Sequence, residues 1–358
     1  MHEIPRVRLR NTKWRIKMQK HHAICGTQII HDTPDGIMIH GPHAQTAEEN
    51  KGESTISSIY LIERNKNLCI IDTGRFKSRY NIIKKIIEKN NYNLKYIILT
   101  HDHYDHIGNA NILKKKFGGT IYAHKLDKYL IENPLNIYDN EKIEHIYGYP
   151  IYASWKDIGF SIEDINNMKN LTEIYFYEST NVDVYIEEDT EISLSGLKIR
   201  LLHTPGHSPG SISIYVEETG SIYTGDLTFW INPCRPYPVG NMDSCLESLS
   251  RIQKMDINYC GPGHYLGISS PKNWLKSLLQ KYERMESDIL KCTSEKKKIS
   301  EIRKIIFRED PFDSFFPIPE NSIQANLISL MQRNKVFRIS EDDCIYWKNQ
   351  EKCRRKTC

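Results

Sequence analysis

One short stretch of the 358-residue chain decides its fold: Thr100-His101-Asp102-His103-Tyr104-Asp105-His106. It follows an apolar run at residues 96–99, which predicts a buried strand, and it precedes a helical pattern at residues 107–117. In an extended backbone, residues i and i+2 point to the same side, so His101 and His103 can bind one metal ion together. Asp105 and His106 come after the chain turns toward the helix and can bind a second ion. Imidazole and carboxylate donors suit zinc, with iron or manganese as alternatives.

Three later segments place more metal-binding side chains directly after predicted strands. They are the loop Leu202-His203-Thr204-Pro205-Gly206-His207-Ser208-Pro209-Gly210, the strand end Tyr223-Thr224-Gly225-Asp226 and the turn Cys260-Gly261-Pro262-Gly263-His264. The carboxylate of Asp226 can bridge two cations. Each segment alone would be weak evidence, but together and in this order they predict a metal site.

Composition excludes several other classes of protein. Hydrophobic residues make up 39% of the chain and charged residues 26%, which is typical of an ordinary globular protein. No apolar run approaches the roughly 18 residues of a membrane-spanning helix, and the basic start of the chain has no apolar segment that would make it a secretory signal. The nine cysteines form no CxxC pair, which argues against a disulfide framework. We therefore expect a cytoplasmic protein that does not associate with membranes.

Predicted strands and helices alternate from residue 55 to about residue 261, which indicates an α+β or layered α/β domain. Strands are predicted at residues 55–62, 68–71, 96–99, 120–123, 182–186, 197–202, 211–216 and 221–223. Helices are predicted at residues 77–89, 107–117 and 244–255. Asp243 is the expected N-cap of the last of these helices, and Glu218-Thr219-Gly220 is the expected turn of a hairpin.

The remaining segments suggest a division of the chain into units. Residues 1–54 form a basic extension with the first strands, residues 55–268 the metal-binding domain, residues 269–350 a helical domain and residues 351–358 a basic tail. An aromatic-rich insertion at residues 124–180 is either a satellite subdomain or a cover over the substrate. The helical domain combines three helices, the first starting at Pro271, with a two-stranded hairpin, which is the outline of a winged-helix module.

The four motifs together resemble those of metallo-β-lactamase-fold hydrolases: THxHxDH at residues 100–106, TPGHSPGS at residues 204–211, TGD at residues 224–226 and PGH at residues 262–264. The segment Ile71-Asp72-Thr73-Gly74 also matches that family. The resemblance covers roughly residues 55–266. It implies a four-layer αβ/βα sandwich with metal ions at one edge of the paired sheets.

Carried over position by position, the resemblance implies two ions with three terminal protein ligands each. The ligands are His101, His103 and His207 for the first ion, and Asp105, His106 and His264 for the second. Asp226 would bridge both ions. Asp72 would accept a hydrogen bond that fixes the loop or a ligand imidazole, unless it is a plain turn aspartate. His203 falls outside the ligand set and is expected to be a core or rim histidine.

This ligand set implies a dinuclear zinc hydrolase. Two ions would lower the pKa of a shared water to produce a hydroxide that attacks a carbonyl, and would polarise that carbonyl. Asp105 would orient the hydroxide or carry its proton to the leaving group. The combination with helices and a hairpin after residue 271 resembles the β-lactamase-like protein 2 group, which is allied to glyoxalase II.

That second resemblance implies either thioester or ester hydrolysis or endoribonuclease activity. The first expectation is a thioesterase-like acyl hydrolase acting on a small-molecule or carrier-bound substrate. Two alternatives stay open. A metal-dependent endoribonuclease acting on single-stranded RNA is suggested by the winged-helix outline and by basic residues at both ends of the chain. Charge runs more often serve as solvated surface, which makes a nucleic-acid partner the weaker hypothesis. A lactonase is the other alternative.

Overall fold

The computed structural model describes residues 21–25, 28–40, 57–147, 155, 161–175, 179–228, 240–264, 266–307, 318–342 and 344–350. The basic stretch at residues 6–20, the basic tail and part of the aromatic insertion lie outside these residues.

Among the described residues, the first sheet has eight strands that lie side by side in the order of the chain. They are β1 His21–Cys25, β2 Gln28–Thr33, β3 Gly36–His40, β4 Ile59–Arg64, β5 Asn67–Ile71, β6 Asn93–Ile98, β7 Thr120–His124 and β8 Val184–Ile186. Neighbours from β1 to β5 pair antiparallel, and neighbours from β5 to β8 pair parallel. The carboxyl ends of β5 and β6 therefore meet at the same edge of the sheet.

In the part of the chain that the structure describes, the second sheet has six strands in the order β14-β13-β12-β11-β10-β9. They are β9 Thr190–Leu194, β10 Leu197–His203, β11 Ile212–Val216, β12 Ser221–Gly225, β13 Tyr259–Pro262 and β14 Ile268–Ser269. The pair β12 and β13 is parallel, so Asp226 and His264 follow strands that end side by side. A two-stranded hairpin of β15 Val336–Glu341 and β16 Cys344–Asn349 is separate from both sheets.

Ten α-helices surround these sheets in the described part of the chain. They are α1 Lys77–Asn90, α2 Tyr104–Ile107, α3 Ala110–Phe117, α4 Lys128–Glu132, α5 Asn140–Tyr147, α6 Ile162–Tyr175, α7 Met242–Gln253, α8 Lys272–Cys292, α9 Ile299–Ile306 and α10 Ile318–Gln332. None of the described helices combines the length and apolar character that crossing a membrane requires.

Side chains alternate between the two faces of each strand, and the buried ones form three hydrophobic layers. In β4, Ile59 and Leu61 pack with α1 and α3, whereas Tyr60 and Ile62 pack against the second sheet. The outer face of the second sheet packs against α7 and α8. Because side chains of a strand point alternately to opposite faces, both sheets are covered on both sides. The mixed sheets and their helices therefore agree with the predicted αβ/βα sandwich.

Two details of the predicted helices are wrong. The expected single helix at residues 107–117 is interrupted between α2 and α3. Asn109 lies at the interruption, and its side-chain amide donates to the carbonyl oxygens of Thr73 and Gly74 at 2.9 and 3.0 Å. The N-cap of α7 is Asn241, whose side-chain oxygen accepts from the backbone N–H of Ser244 at 3.0 Å. Asp243 lies inside the first turn of α7 instead.

The C-terminal helices and hairpin have a buried cluster of their own. It combines the end of α8 with α9, α10 and the hairpin, and Trp347 is fully buried in it. The backbone of Trp347 also exchanges two hydrogen bonds with Lys297, which ties the hairpin to the segment before α9. The predicted helices and strands of this module are present, whereas its winged-helix classification and the domain boundaries stay predictions.

Candidate metal centre

Asp72 organises the histidine loop from the neighbouring strand. It directly follows β5 and adopts a left-handed backbone with φ of 57°. One carboxylate oxygen accepts from the backbone N–H of Thr100 at 2.9 Å, and the other accepts from the Thr100 hydroxyl at 2.8 Å. The second oxygen also lies 2.6 Å from Nδ1 of His106. The carboxylate thus contacts both the backbone of the loop and a candidate ligand.

These contacts assign the protonated nitrogen of two imidazoles. The Thr100 hydroxyl gives its single proton to Asp72, so at 2.9 Å it accepts from Nδ1 of His101. Nδ1 of His106 donates to Asp72 in the same way. In both rings the lone pair is then on Nε2, the atom available to a metal ion.

The structure brings all seven sequence-predicted donors into two adjacent groups. The first group contains His101, His103, His207 and Asp226, and the second contains Asp105, His106 and His264. Within each group the ligand atoms lie within 4.8 Å of one another, so each could hold a metal ion. His203 belongs to neither group.

Asp226 lies between the two groups. Its Oδ2 atom is 3.5 Å from Nε2 of His207 and 4.0 Å from Nε2 of His101, both in the first group. Its carboxylate is also 3.3 Å from Nε2 of His106 and 3.3 Å from Nε2 of His264, both in the second group. A carboxylate in this position can contribute one oxygen to each of two ions.

The residues fit the metal that the motifs imply. Four ligand atoms in a tetrahedron around zinc lie about 3.3 Å apart, given metal–ligand bonds of roughly 2.0–2.1 Å. The distances from the Asp226 carboxylate to the neighbouring imidazole nitrogens are 3.3–4.0 Å. His101 is 1% exposed, and within the described residues its Nε2 atom makes no hydrogen bond. A buried nitrogen without a partner is costly unless a further ligand binds it. Gly263 supplies the necessary room, because a Cβ there would lie 2.0 Å from Oδ1 of Asp226.

The pKa values of the imidazoles are shifted in opposite directions in the two groups. Burial, followed by the neighbouring imidazoles of His106 and His103, lowers the pKa of His101 well below its usual value. Burial and then His207 lower the pKa of His103 in the same way. These imidazoles are therefore held neutral, which is the form that binds metal ions.

The carboxylates dominate the second group. Burial alone would lower the pKa of His106, but Asp226, Asp72 and Asp105 outweigh it and hold that pKa well above its usual value. The pKa of His264 is raised for the same reason, chiefly by Asp226. Burial opposes ionisation of Asp226, yet His264 and His106 hold its pKa well below its usual value. Without a cation these carboxylates favour protonated imidazoles, and a bound cation would take the place of those protons.

Sequence comparison decides the family. A model of the metallo-β-lactamase superfamily matches residues 53–264, which is more than half of the chain. The chain belongs to the metallo-β-lactamase superfamily. It is accordingly a hydrolase of that superfamily, and the matched region contains both donor groups.

Relatives within the metallo-β-lactamase superfamily include two proteins named for one substrate. Hydroxyacylglutathione hydrolase of Pelagibacter ubique is 26% identical over 208 residues, which are 57% of this chain and 65% of that protein, just under two thirds of its length. Hydroxyacylglutathione hydrolase GloC of Haemophilus influenzae is 28% identical over 220 residues, which are 58% of this chain and 85% of that protein. A β-lactamase-like protein 2 homolog of Caenorhabditis elegans is 19% identical over 269 residues, covering 74% of this chain and 75% of that protein.

Solved structures agree on the fold. A metallo-β-lactamase family protein from Thermus thermophilus superposes with a TM-score of 0.64 at 17% identity and covers 82% of this chain and 94% of its own. A β-lactamase domain protein from Burkholderia ambifaria superposes with a TM-score of 0.63 at 14% identity and covers 92% and 94%. At these identities the likeness concerns the fold alone.

Residues outside the metallo-β-lactamase motifs also support the centre. The buried hydroxyl of Ser57 donates to the backbone carbonyl of Asp105, and Ser57 pairs with His264 in an isolated β-bridge. Within the motifs, the backbone N–H of Gly263 donates to the carbonyl of Gly225 at 2.7 Å and so joins the TGD and PGH segments. The role of Ser57 could not be predicted from the sequence, because a single serine 48 residues before Asp105 forms no motif with it.

His203 forms a stacked pair at the edge of the metal centre. Its ring lies 3.9 Å from that of His124 with an angle of 13° between the planes. Nδ1 of His124 accepts from the backbone N–H of Leu126 at 3.2 Å, and Nε2 of His203 lies 2.9 Å from the carbonyl oxygen of Pro209. The sequence predicts a core or rim histidine at this position, and His203 lies half-buried beside the His207 loop.

The lowered pKa of His124 predicts that the free energy of unfolding decreases in acid. Burial, followed by the neighbouring His203, lowers the pKa of His124 to about 4, whereas an unfolded histidine has a pKa of about 6.5. The unfolded chain therefore takes up the proton first, and the free energy of unfolding falls as the pH decreases from about 6.5 to about 4. Urea unfolding across this range should show a smaller pH slope for His124→Asn, whose side-chain oxygen can still accept from Leu126. Equal slopes for the two proteins would contradict this prediction.

Proposed function

We propose that this hydrolase is a dinuclear zinc enzyme that cleaves thioester or ester bonds of acyl substrates. The observation that carries the proposal is the position of Asp226, within 4.0 Å of imidazole nitrogens in both donor groups. Support for the substrate class comes from the relatives named hydroxyacylglutathione hydrolase, because hydroxyacylglutathione is a thioester. We infer a small-molecule or carrier-bound acyl substrate and a cytoplasmic location.

Each ion would have three terminal protein ligands and share Asp226. The ligands are His101, His103 and His207 for the first ion, and Asp105, His106 and His264 for the second. Zinc suits this mixture of imidazole and carboxylate, with iron or manganese as alternatives. When bound, the ions would polarise the substrate carbonyl and lower the pKa of a water molecule toward neutrality.

Asp105 is the residue that we propose for proton transfer. Its Oδ2 atom lies 3.5 Å from Nε2 of His264 and 3.7 Å from Nε2 of His106, so it belongs to the second group. The residue is only 8% exposed, and its backbone is tied to Ser57. A carboxylate held in this way can accept a proton from the attacking water and deliver it to the leaving group.

Asp72 would contact the residues that bind the ions rather than the ions themselves. It holds Nδ1 of His106 directly and Nδ1 of His101 through the Thr100 hydroxyl. Both rings are thereby fixed with Nε2 toward the centre, and the negative charge of Asp72 makes the His106 imidazole a stronger donor. We therefore propose that Asp72 supports binding of both ions without contacting substrate.

The test combines metal analysis with a substrate panel. The purified protein should contain two zinc ions per chain, and it should hydrolyse hydroxyacylglutathione and other acyl thioesters faster than a lactone or single-stranded RNA. Chelation should abolish hydrolysis, and added zinc should restore it. His103→Ala should lose an ion together with activity, and full activity of that variant with metal bound would refute the mechanism.

The ribonuclease hypothesis has one specific observation in its favour. The similarity to the β-lactamase-like protein 2 homolog extends over 74% of the chain and thus beyond the metal domain. Cleavage of RNA that weakens steeply with salt, without thioester hydrolysis, would favour this alternative. Preferential opening of a lactone would favour the other alternative.

A further inference from the structure

Asp127 is a buried carboxylate that the metal centre does not use. It ends a short 3-10 helix, Lys125–Asp127, directly after β7. The residue is 1% exposed. No candidate metal ligand lies within twenty residues of it in the sequence. A carboxylate is rarely buried unless several hydrogen bonds satisfy it, so its partners indicate what it does.

One set of partners belongs to the loop that carries His207. The Ser208 hydroxyl donates to Oδ2 of Asp127 at 2.6 Å, and the backbone N–H of Gly210 donates to Oδ1 at 2.6 Å. The Ser208 hydroxyl also lies 2.8 Å from that of Ser211, which closes the loop on itself. A Cβ at Gly210 would lie 2.5 Å from Cγ of Asp127, so the loop is pressed directly against the carboxylate.

The other partner belongs to the loop that carries His101 and His103. Asp102 lies between these two histidines and is 5% exposed. The Asp127 carboxyl group lies beside the backbone and the carboxyl group of Asp102, and burial, followed by this neighbour, raises the pKa of Asp102 well above its usual value. Asp127 therefore contacts both loops that supply imidazoles to the first group.

We propose that Asp127 is a positioning residue that holds these two loops in register and so sets the geometry of the first ion's three imidazoles. The inference rests on the proposed metal centre. The segments of Asp105, His106 and His264 are held by Ser57 and Asp72 instead. Loss of Asp127 should therefore weaken the first ion much more than the second, an asymmetry that a general loss of stability would not produce.

The test compares Asp127→Asn with a matched control, Asp183→Asn. Asp183 also accepts from a backbone N–H, that of Ile121 at 2.8 Å, and pairs with Lys114, but it contacts neither histidine loop. Zinc affinities are measured by competition with a chelator, and the Co2+-substituted proteins are compared by absorption spectroscopy. We expect one ion of Asp127→Asn to bind roughly 10–100-fold more weakly, as for other partners that orient ligands, and the spectrum to lose the component that His207→Ala loses. Asp183→Asn should retain both ions and the full spectrum.

Several outcomes would overturn the inference. These are equal weakening of both ions in Asp127→Asn, unchanged affinities, or an equal effect in Asp183→Asn. If Asp127→Asn does not fold, Ser208→Ala removes a single donor to the same carboxylate and should weaken the same ion to a smaller extent. No selective effect in Ser208→Ala would then refute the proposal. Wild-type protein that binds none of zinc, iron and manganese would refute the metal centre itself, which is a different result from two bound ions with an unaffected Asp127→Asn.

Discussion

Replacing Asp226 by asparagine should remove both metal ions and reduce hydrolysis roughly a thousandfold. The side chain keeps its shape but loses the negative charge that lies within 4.0 Å of His101, His106, His207 and His264. An amide can offer only one oxygen, so it cannot serve two ions in the way a carboxylate can. Metal content by mass spectrometry and initial rates on the thioester panel measure the two effects.

The control for this variant is Asp189→Asn. Asp189 accepts from the backbone N–H of His203 at 3.0 Å and pairs with Arg251, so it is a hydrogen-bonded carboxylate near the same loop but outside both donor groups. It should retain two ions and near-normal rates. Two tightly bound ions in Asp226→Asn would show that Asp226 does not join the two sites.

Gly263→Ala should damage the centre without changing any donor. The new Cβ would lie 2.0 Å from Oδ1 of Asp226, 2.7 Å from the carbonyl carbon of Gly225 and 2.9 Å from the backbone nitrogen of Asp226. Backbone atoms cannot move aside cheaply, so Asp226 has to shift or the turn has to open, at a cost of about 1–3 kcal/mol. We expect zinc affinity to fall roughly 10–100-fold. Chelator competition measures the affinity, and thermal unfolding measures the cost to the fold.

Gly196→Ala provides the comparison for Gly263. Gly196 also lies in a turn and has φ of 88°, but a Cβ there would meet no atom within 4 Å. The variant should lose some stability, because alanine disfavours this conformation, while zinc affinity stays unchanged. Normal metal binding by Gly263→Ala would mean that the close approach to Asp226 is not needed.

The candidate donors could be predicted from the sequence because each lies in a short motif that follows a predicted strand. The motif at residues 100–106 follows a strand, and His207, Asp226 and His264 each follow another strand. Strands that lie in two facing sheets bring such ends together, and the resemblance to metallo-β-lactamase-fold hydrolases divided the donors between two ions. The structure places all seven in the two groups described, although their roles as ligands stay proposals.

Support for the donors could not be predicted in the same way. Asn109 interrupts a helix because its amide reaches backbone carbonyls more than thirty residues earlier in the chain. Asp127 and Ser57 act through contacts at separations of 81 and 48 residues. Neither helical periodicity nor capping preference contains information about such distant partners. The N-cap of α7 was wrong for a different reason: Asp243 has a suitable side chain, but the helix begins earlier and Asn241 caps it through Ser244.

The division of the donors between the two sheets has a consequence for folding. Four of them follow β6 in the first sheet, whereas His207, Asp226 and His264 come from loops of the second sheet. Neither half of the sandwich therefore contains a full set of partners for an ion, and each ion would act as a cross-link between halves. Ions that bind only the assembled protein stabilise it by mass action, by about 2.7 kcal/mol at a free concentration one hundred times the dissociation constant. Docking of the two sheets and capture of the ions would then be one cooperative event.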